Sequence, residues 1–252
     1  MNTEIKNAIQ AADSEAQYDE SAKRLLAQKY VLAHILVRTV EEFQGMEIEK
    51  VVSLIEGDPY ISKVPVASGL TNKDRNVEGK RIVGLNTEAG EKNEGLVRFD
   101  IIFYVRMRNG LAQMIINVEA QKDEPGSYQI LNRAIFYVSR LISSQKERDF
   151  VKSNYNDVKT VYSIWVCMNM PENSMCHIHL TKEDLLGNHN WKGNLNLVNI
   201  VMIGLTNALP QRHNEYVLHR LLCAMFSNEL SQQQKLWNRN IIFQWKKVLR
   251  RK

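Results

Sequence analysis

The sequence predicts an α/β domain built on a mixed β-sheet flanked by helices. Three observations lead to this fold class. Segments with apolar residues at helical spacing alternate along the chain with short β-branched runs. The dipeptide Asn109-Gly110 stands between two runs of alternating residues, the pattern of a tight β-hairpin. Residues 158–168 and 195–205 are almost continuously apolar, as in strands that are covered on both faces.

The N-terminal part of the chain predicts two helices. Residues 1–18 are polar, and we expect a frayed terminus there. Apolar residues at helical spacing predict one long helix from Asp19 or Ser21 to Phe43 and a short one over residues 47–55. Residues 59–80 are predicted to be mostly irregular. Residues 81–85 are predicted to form a first strand, and residues 86–95 an acidic loop.

The remaining elements follow from the same two periodicities. The hairpin is predicted over residues 96–121, and residues 127–145 return to helical spacing with a wide apolar face. Two buried strands and another amphipathic helix, over residues 215–226, come next. We expect one domain over residues 19–231 and a basic, helical tail over residues 232–252.

The hairpin sets two carboxylates opposite each other. In a two-residue Asn-Gly loop Arg108 pairs with Leu111, so the numbers of paired residues sum to 219. Counting back places Asp100 opposite Glu119 and Arg98 opposite Gln121. Opposed side chains have Cβ atoms about 5 Å apart, where like charges repel. A positive group between the two acids would stabilise the arrangement.

A divalent metal ion is the positive group that this pair favours. One face of the hairpin is apolar, and the other carries a polar cluster: Arg98, Asp100, Asn117, Glu119 and Gln121. Mg²⁺ prefers carboxylate and carbonyl oxygen and keeps several waters, so Asp100, Glu119 and the backbone carbonyl of Ala120 form a suitable ligand set. A plain solvated strand face is the competing interpretation.

The positive charge of the chain is concentrated in the tail. Residues 232–252 hold 7 of the 33 basic residues and none of the 28 acidic ones, which leaves a balance of −2 for residues 1–231. Such a tail can bind a phosphate backbone, although a solvated terminal helix explains it equally well. Three widely spaced cysteines, no apolar run of about 20 residues and no secretion signal favour a cytoplasmic protein without a membrane partner.

The motifs around the acids resemble a known family. RFD at residues 98–100 and EAQKD at residues 119–123 are similar to the PD-(D/E)XK nuclease signature, with Gln121 in the lysine position. The resemblance narrows to the PD-(D/E)XK nuclease family transposases related to the Rpn recombination-promoting nucleases. The matching stretches are EEFQGM (41–46), IEGDP (55–59), GLNTE (84–88), EGLVRFDIIF (94–103), INVEAQKD (116–123), NRAIFYVSRLISSQ (132–145) and YNDVKTVYSIWVCMNMP (155–171).

This resemblance implies a restriction-endonuclease-like fold and Mg²⁺- or Mn²⁺-dependent DNA cleavage near recombination or mobile elements. Asp100 and Glu119 would be metal ligands, Gln121 would orient the attacking water, and Glu42 would be an additional acid, with Glu41 or Glu88 as alternatives. Gln121 lacks the charge of lysine, which predicts slow turnover or a heavier dependence on the metal.

The expected partner is DNA. A second copy of the chain, in a homodimer, is the further partner that we consider. The residues expected to contact DNA are Arg98, Lys122, Arg133, Tyr137, Lys246, Lys247, Arg250 and Arg251. For Arg133 and Tyr137, helix-to-sheet packing is an equal alternative. The rival function is a catalytically decayed DNA-binding or protein-interaction module of the same fold, and an RNA-directed nuclease is a third possibility.

Overall fold

The computed structural model describes most of the chain between residues 22 and 226. The described residues are 22–61, 88–91, 94–98, 100–108, 113–123, 125–146, 149–208, 210 and 217–226. The predicted frayed terminus, the predicted strand at residues 81–85 and the basic tail lie outside them, as does the Asn109-Gly110 turn.

The strands form two sheets. In chain order they are β1 Tyr60–Ile61, β2 Glu88–Glu91, β3 Glu94–Arg98, β4 Ile101–Arg106, β5 Gln113–Gln121, β6 Val161–Cys167, β7 Ser174–His179 and β8 Val198–Gly204. Six of them form a sheet in the order β1-β4-β5-β6-β8-β7, and β2 pairs with β3 in a separate sheet of two. β5, β6 and β8 run parallel to one another, while β1, β4 and β7 are antiparallel to their neighbours. The sheet is therefore mixed, as predicted.

Helices cover both faces of the six-stranded sheet. They are α1 (residues 22–26 described), α2 Lys29–Thr39, α3 Ile48–Leu54, α4 Ile130–Ser143 and α5 Val217–Phe226. Residues of α1, α2, α3 and α5 join Ile101, Phe103, Ile116 and Val118 in one buried apolar cluster. Residues of α4 join Ile102, Val161 and Trp165 in a second cluster. Since alternate strand residues point to opposite faces, the two clusters lie on opposite sides of the sheet.

The strongest sequence signals are confirmed. All seven residues of β6 are buried, and β6 lies inside the sheet between β5 and β8. The hairpin has the predicted pairing, from Ile101 with Val118 to Arg106 with Gln113, so that each pair sums to 219. The wide apolar face of α4 is explained by its packing on the sheet.

Three predictions of elements are wrong. The first helix is divided at residues 27–28, where Gln28 has an extended backbone, and a 3₁₀ turn over Glu41–Phe43 replaces its last part. The predicted acidic loop contains β2 and part of β3. Arg98, which was predicted to lie in the hairpin opposite Gln121, ends β3 and pairs with Glu88. β7 was missed because it is an edge strand that is mostly exposed and shows no apolar alternation.

None of the helices among the described residues is both long and apolar enough to cross a membrane.

Candidate functional site

The carboxylate pair lies at one end of the strands of the sheet, where β4 begins and β5 ends. Asp100 directly precedes β4. Glu119 is the third residue from the end of β5, followed by Ala120 and Gln121. Because β4 and β5 are antiparallel, the start of β4 meets the carboxyl end of β5. β6 and β8 end at the same edge. The carboxyl edge of parallel strands is where α/β sheets commonly bind ligands.

Two hydrogen bonds hold the acids against each other. The backbone N–H of Asp100 donates to Oε1 of Glu119 at 3.0 Å, and the backbone N–H of Ala120 donates to Oδ2 of Asp100 at 2.9 Å. Each carboxylate therefore accepts a backbone N–H from the neighbouring strand segment. Glu119 is only 2% exposed, whereas the Asp100 side chain is 15% exposed. The pair is rigidly placed, with Asp100 nearer to solvent.

A lysine from α1 contacts Asp100, the more exposed of the two acids. Nζ of Lys23, in α1, is 2.9 Å from Oδ1 of Asp100, and its side chain is 17% exposed. Lys23 precedes Leu26 and Ala27 by three and four residues, so all three lie on one face of the helix. Leu26 and Ala27 are buried in the apolar cluster. The packing of α1 thus directs a lysine toward the acids.

An arginine from α4 approaches from the other side. Nη1 of Arg133 donates to Oε1 of Gln121 at 3.3 Å and to the hydroxyl of Tyr128 at 3.0 Å. Its Nη2 donates to the hydroxyl of Tyr137 at 2.9 Å. The guanidinium also lies over the rings of Tyr137 and Trp165, 4.9 and 5.3 Å from their centroids. Arg133 and Tyr137 therefore pack helix against sheet, and Arg133 also reaches the site through Gln121.

Burial, the contacts between Arg133 and the tyrosines, and the two acids together set the ionisation of Arg133 and Tyr137. Burial alone would lower the pKa of Arg133, but the hydrogen bonds that its guanidinium donates to Tyr137 and Tyr128 and the charge of Glu119 outweigh it and raise the pKa. Burial raises the pKa of the Tyr137 hydroxyl; Arg133 opposes this, and the charges of Glu119 and Asp100 add to it. Arg133 stays cationic and Tyr137 neutral at physiological pH.

The donor set fits a hard divalent cation. A carboxylate has about four lone-pair positions, and the contacts described above involve both oxygens of Asp100 and Oε1 of Glu119. The N–H of Ala120 points toward Asp100, and in a strand the carbonyl of the same residue points to the same side. Among the described residues no three His, Cys, Asp or Glu side chains are grouped to hold a metal. Mg²⁺ needs only one or two carboxylates when it keeps its waters.

Glu42 is not brought to this pair. It lies in the 3₁₀ turn after α2, where its Oε1 accepts the backbone N–H of Arg108 at 2.9 Å. Arg108 follows the far end of β4, about 25 Å along an extended strand from Asp100. Glu42 is therefore at the opposite edge of the sheet, as is Glu41 beside it. Glu88 pairs through its backbone with Arg98, two residues before Asp100.

The other predicted DNA contacts are placed only in part. Lys122 follows the end of β5 and is exposed, and Arg98 ends β3. Lys246, Lys247, Arg250 and Arg251 lie outside the described residues.

Sequence reasoning missed Lys23. The signal was a charged residue three and four positions before buried apolar ones, inside the apolar stripe of a predicted helix. A charge in such a stripe requires a partner, and the opposed acids were the group that needed a cation.

Comparisons with family models, with curated proteins and with solved structures find no match to this chain. The resemblance to PD-(D/E)XK nucleases therefore rests on the sequence motifs, and the site rests on its own geometry.

Proposed function

We propose that this protein is a metal-dependent endonuclease that hydrolyses DNA phosphodiester bonds. The observation that carries the proposal is the hydrogen-bonded pair of Asp100 and Glu119 at the carboxyl edge of the sheet. The sequence resemblance supports a restriction-endonuclease-like fold and a role in transposition or recombination. The mixed sheet with helices on both faces is compatible with that fold.

In this proposal each residue of the site has one task. Asp100, Glu119 and the carbonyl of Ala120 would hold Mg²⁺ or Mn²⁺, and the bound ion would lower the pKa of a water and offset charge on the phosphate. Gln121, whose side-chain amide donates to the carbonyl of Asp123 and accepts from Arg133, positions the attacking water. The water oxygen forms a bond to phosphorus, one P–O ester bond breaks, and the leaving oxygen takes up a proton. The products are a phosphomonoester and a hydroxyl group.

Binding of DNA relies on positive charge around the site and in the tail. The tail residues Lys246, Lys247, Arg250 and Arg251 would add affinity for phosphate that depends on salt and not on sequence. Lys122 is exposed beside the site and would contribute in the same way.

A plasmid-nicking assay tests the proposal. We expect the wild-type protein to convert supercoiled plasmid to nicked circles in Mg²⁺ or Mn²⁺ and not in EDTA. Asp100→Ala and Glu119→Ala should each lower the rate by at least about 10²-fold, the scale of losing one transition-state charge contact. The exposed Glu172→Ala variant serves as a matched control, since it also removes one acid. Unchanged cleavage in both site variants would overturn the assignment of the site. Salt-sensitive DNA binding without any cutting would instead support the non-catalytic module.

A further inference from the structure

The candidate site carries a nearly balanced set of charges before any metal binds. Asp100 and Glu119 contribute two negative charges, and Lys23 and Arg133 contribute two positive ones. Lys23 contacts Asp100 directly, at 2.9 Å, whereas Arg133 reaches the site by way of the neutral Gln121. Lys23 therefore forms a direct ion pair with one of the two acids.

The position of Lys23 is not that of a casual surface ion pair. Ala22 and Leu26 on α1 and Ala27 directly after it are 5%, 0% and 7% exposed, so the helix is fixed in place by packing. Its neighbour Arg24 is exposed. Exposed lysines rarely lose their solvation for one acid, because a surface ion pair gains little. Here the ammonium group and Asp100 are both largely shielded.

We propose that Lys23 is the fixed cation of the site. It offsets the charge of Asp100 in the metal-free protein and, while DNA is bound, remains beside the carboxylate pair to offset the negative charge of the phosphate. Gln121, on the adjacent strand, carries no charge for this purpose. Lys23 contacts Asp100 and would act on the phosphate through its charge alone. This inference rests on the proposed function.

Two readouts separate this role from simple packing. Removing a positive charge next to a metal ligand removes repulsion, so Lys23→Gln should bind Mn²⁺ about fivefold or more tightly than the wild type in a calorimetric titration without DNA. Single-turnover cleavage of plasmid by the same variant should be about 10²-fold slower. A lysine that served only to pack α1 would not give tighter metal binding together with slower cleavage.

Two further variants complete the experiment in the full-length chain. Lys29→Gln removes the same charge from the first residue of α2, where the lysine Nζ contacts the carbonyl of Ile55 instead of an acid; both readouts should stay within twofold of the wild type. Lys23→Arg keeps the charge and should restore most of the cleavage. Circular dichroism checks that each variant is folded, and if Lys23→Gln is not, Lys23→Arg decides: slow cleavage by a folded Lys23→Arg would overturn the inference, and near-wild-type cleavage would support it.

The outcomes distinguish this inference from the proposed function. Wild-type cleavage with equal rates for Lys23→Gln and Lys29→Gln overturns the role of Lys23 alone. Weaker Mn²⁺ binding by Lys23→Gln overturns it as well, because it indicates that the lysine only holds the acids in place. If the wild type does not cut DNA, the proposed function fails, and the Mn²⁺ titration by itself then decides whether Lys23 opposes a cation at Asp100.

Discussion

At the residue scale, the site depends on side chains that different elements bring to two acids. Asp100 and Glu119 come from neighbouring strand segments, and each accepts a backbone N–H of the other segment. Counting back from the Asn-Gly turn predicted that Asp100 and Glu119 face each other. The count works because a two-residue turn sets which residues pair and because side chains of a strand alternate between its two faces. The contact of Lys23 with Asp100 joins residues that are far apart in the sequence, and the only signal for it was a charge inside the apolar stripe of the predicted helix.

Arg133 provides a test of how Gln121 is positioned. Its guanidinium contacts Gln121, Tyr128 and Tyr137 at once, a fork that lysine cannot reproduce. We therefore expect Arg133→Lys to slow cleavage about tenfold while its affinity for Mn²⁺ stays within twofold of the wild type, because neither acid is altered. Single-turnover cleavage and a Mn²⁺ titration measure the two effects.

Tyr128→Phe is the matched control for this prediction. It removes one partner of Arg133 and leaves the contacts to Gln121 and Tyr137 in place, so its cleavage rate should stay close to that of the wild type. An Arg133→Lys variant as fast as Tyr128→Phe would show that the orientation of Gln121 does not depend on the guanidinium.

At the scale of elements, apolar periodicity predicted buried elements and failed for exposed or interrupted ones. β6 and α4 have continuous apolar patterns and form where predicted. β7 is exposed, and its pairing with β8 is made by backbone groups that leave no pattern in the sequence. The break at Gln28 carries no glycine or proline, and residues on both sides of it are buried, so the helical period continues across it. Glu42 was expected beside the acids but lies against Arg108. Its position depends on where α2 ends, and the apolar period does not show that end.

Gln145 connects the end of α4 to the chain that leads into β6. It is fully buried, and its side-chain amide donates to the carbonyl of Lys159 at 3.0 Å and accepts its N–H at 2.7 Å. Gln145→Met would leave both backbone groups without that partner, at a cost of about 1–3 kcal/mol each. We expect urea unfolding to show a loss of stability in that range or above.

The exposed Gln129, which directly precedes α4, offers the control for this element. Gln129→Met should change the free energy of unfolding by no more than about 0.5 kcal/mol. Equal effects of the two substitutions would contradict the role of Gln145 as the connection between α4 and β6.

At the scale of the whole molecule, the topology decides which polar residues meet. An antiparallel β4 beside the parallel strands β5, β6 and β8 brings the start of β4 to their carboxyl ends. The same arrangement places Glu42 and Arg108 at the opposite edge. Positive charge is provided at the site by Lys23 and Arg133. Local cations of this kind suit the proposed site, which would hold both a metal and a phosphate.

A crystal of the protein soaked in Mn²⁺ tests the central claim most directly. The anomalous signal of manganese locates the ion without relying on activity. We expect one strong peak within coordination distance of carboxylate oxygens of both Asp100 and Glu119, and its loss in Asp100→Ala. A fully soaked crystal with no peak at this pair, or with manganese bound only elsewhere, would contradict it.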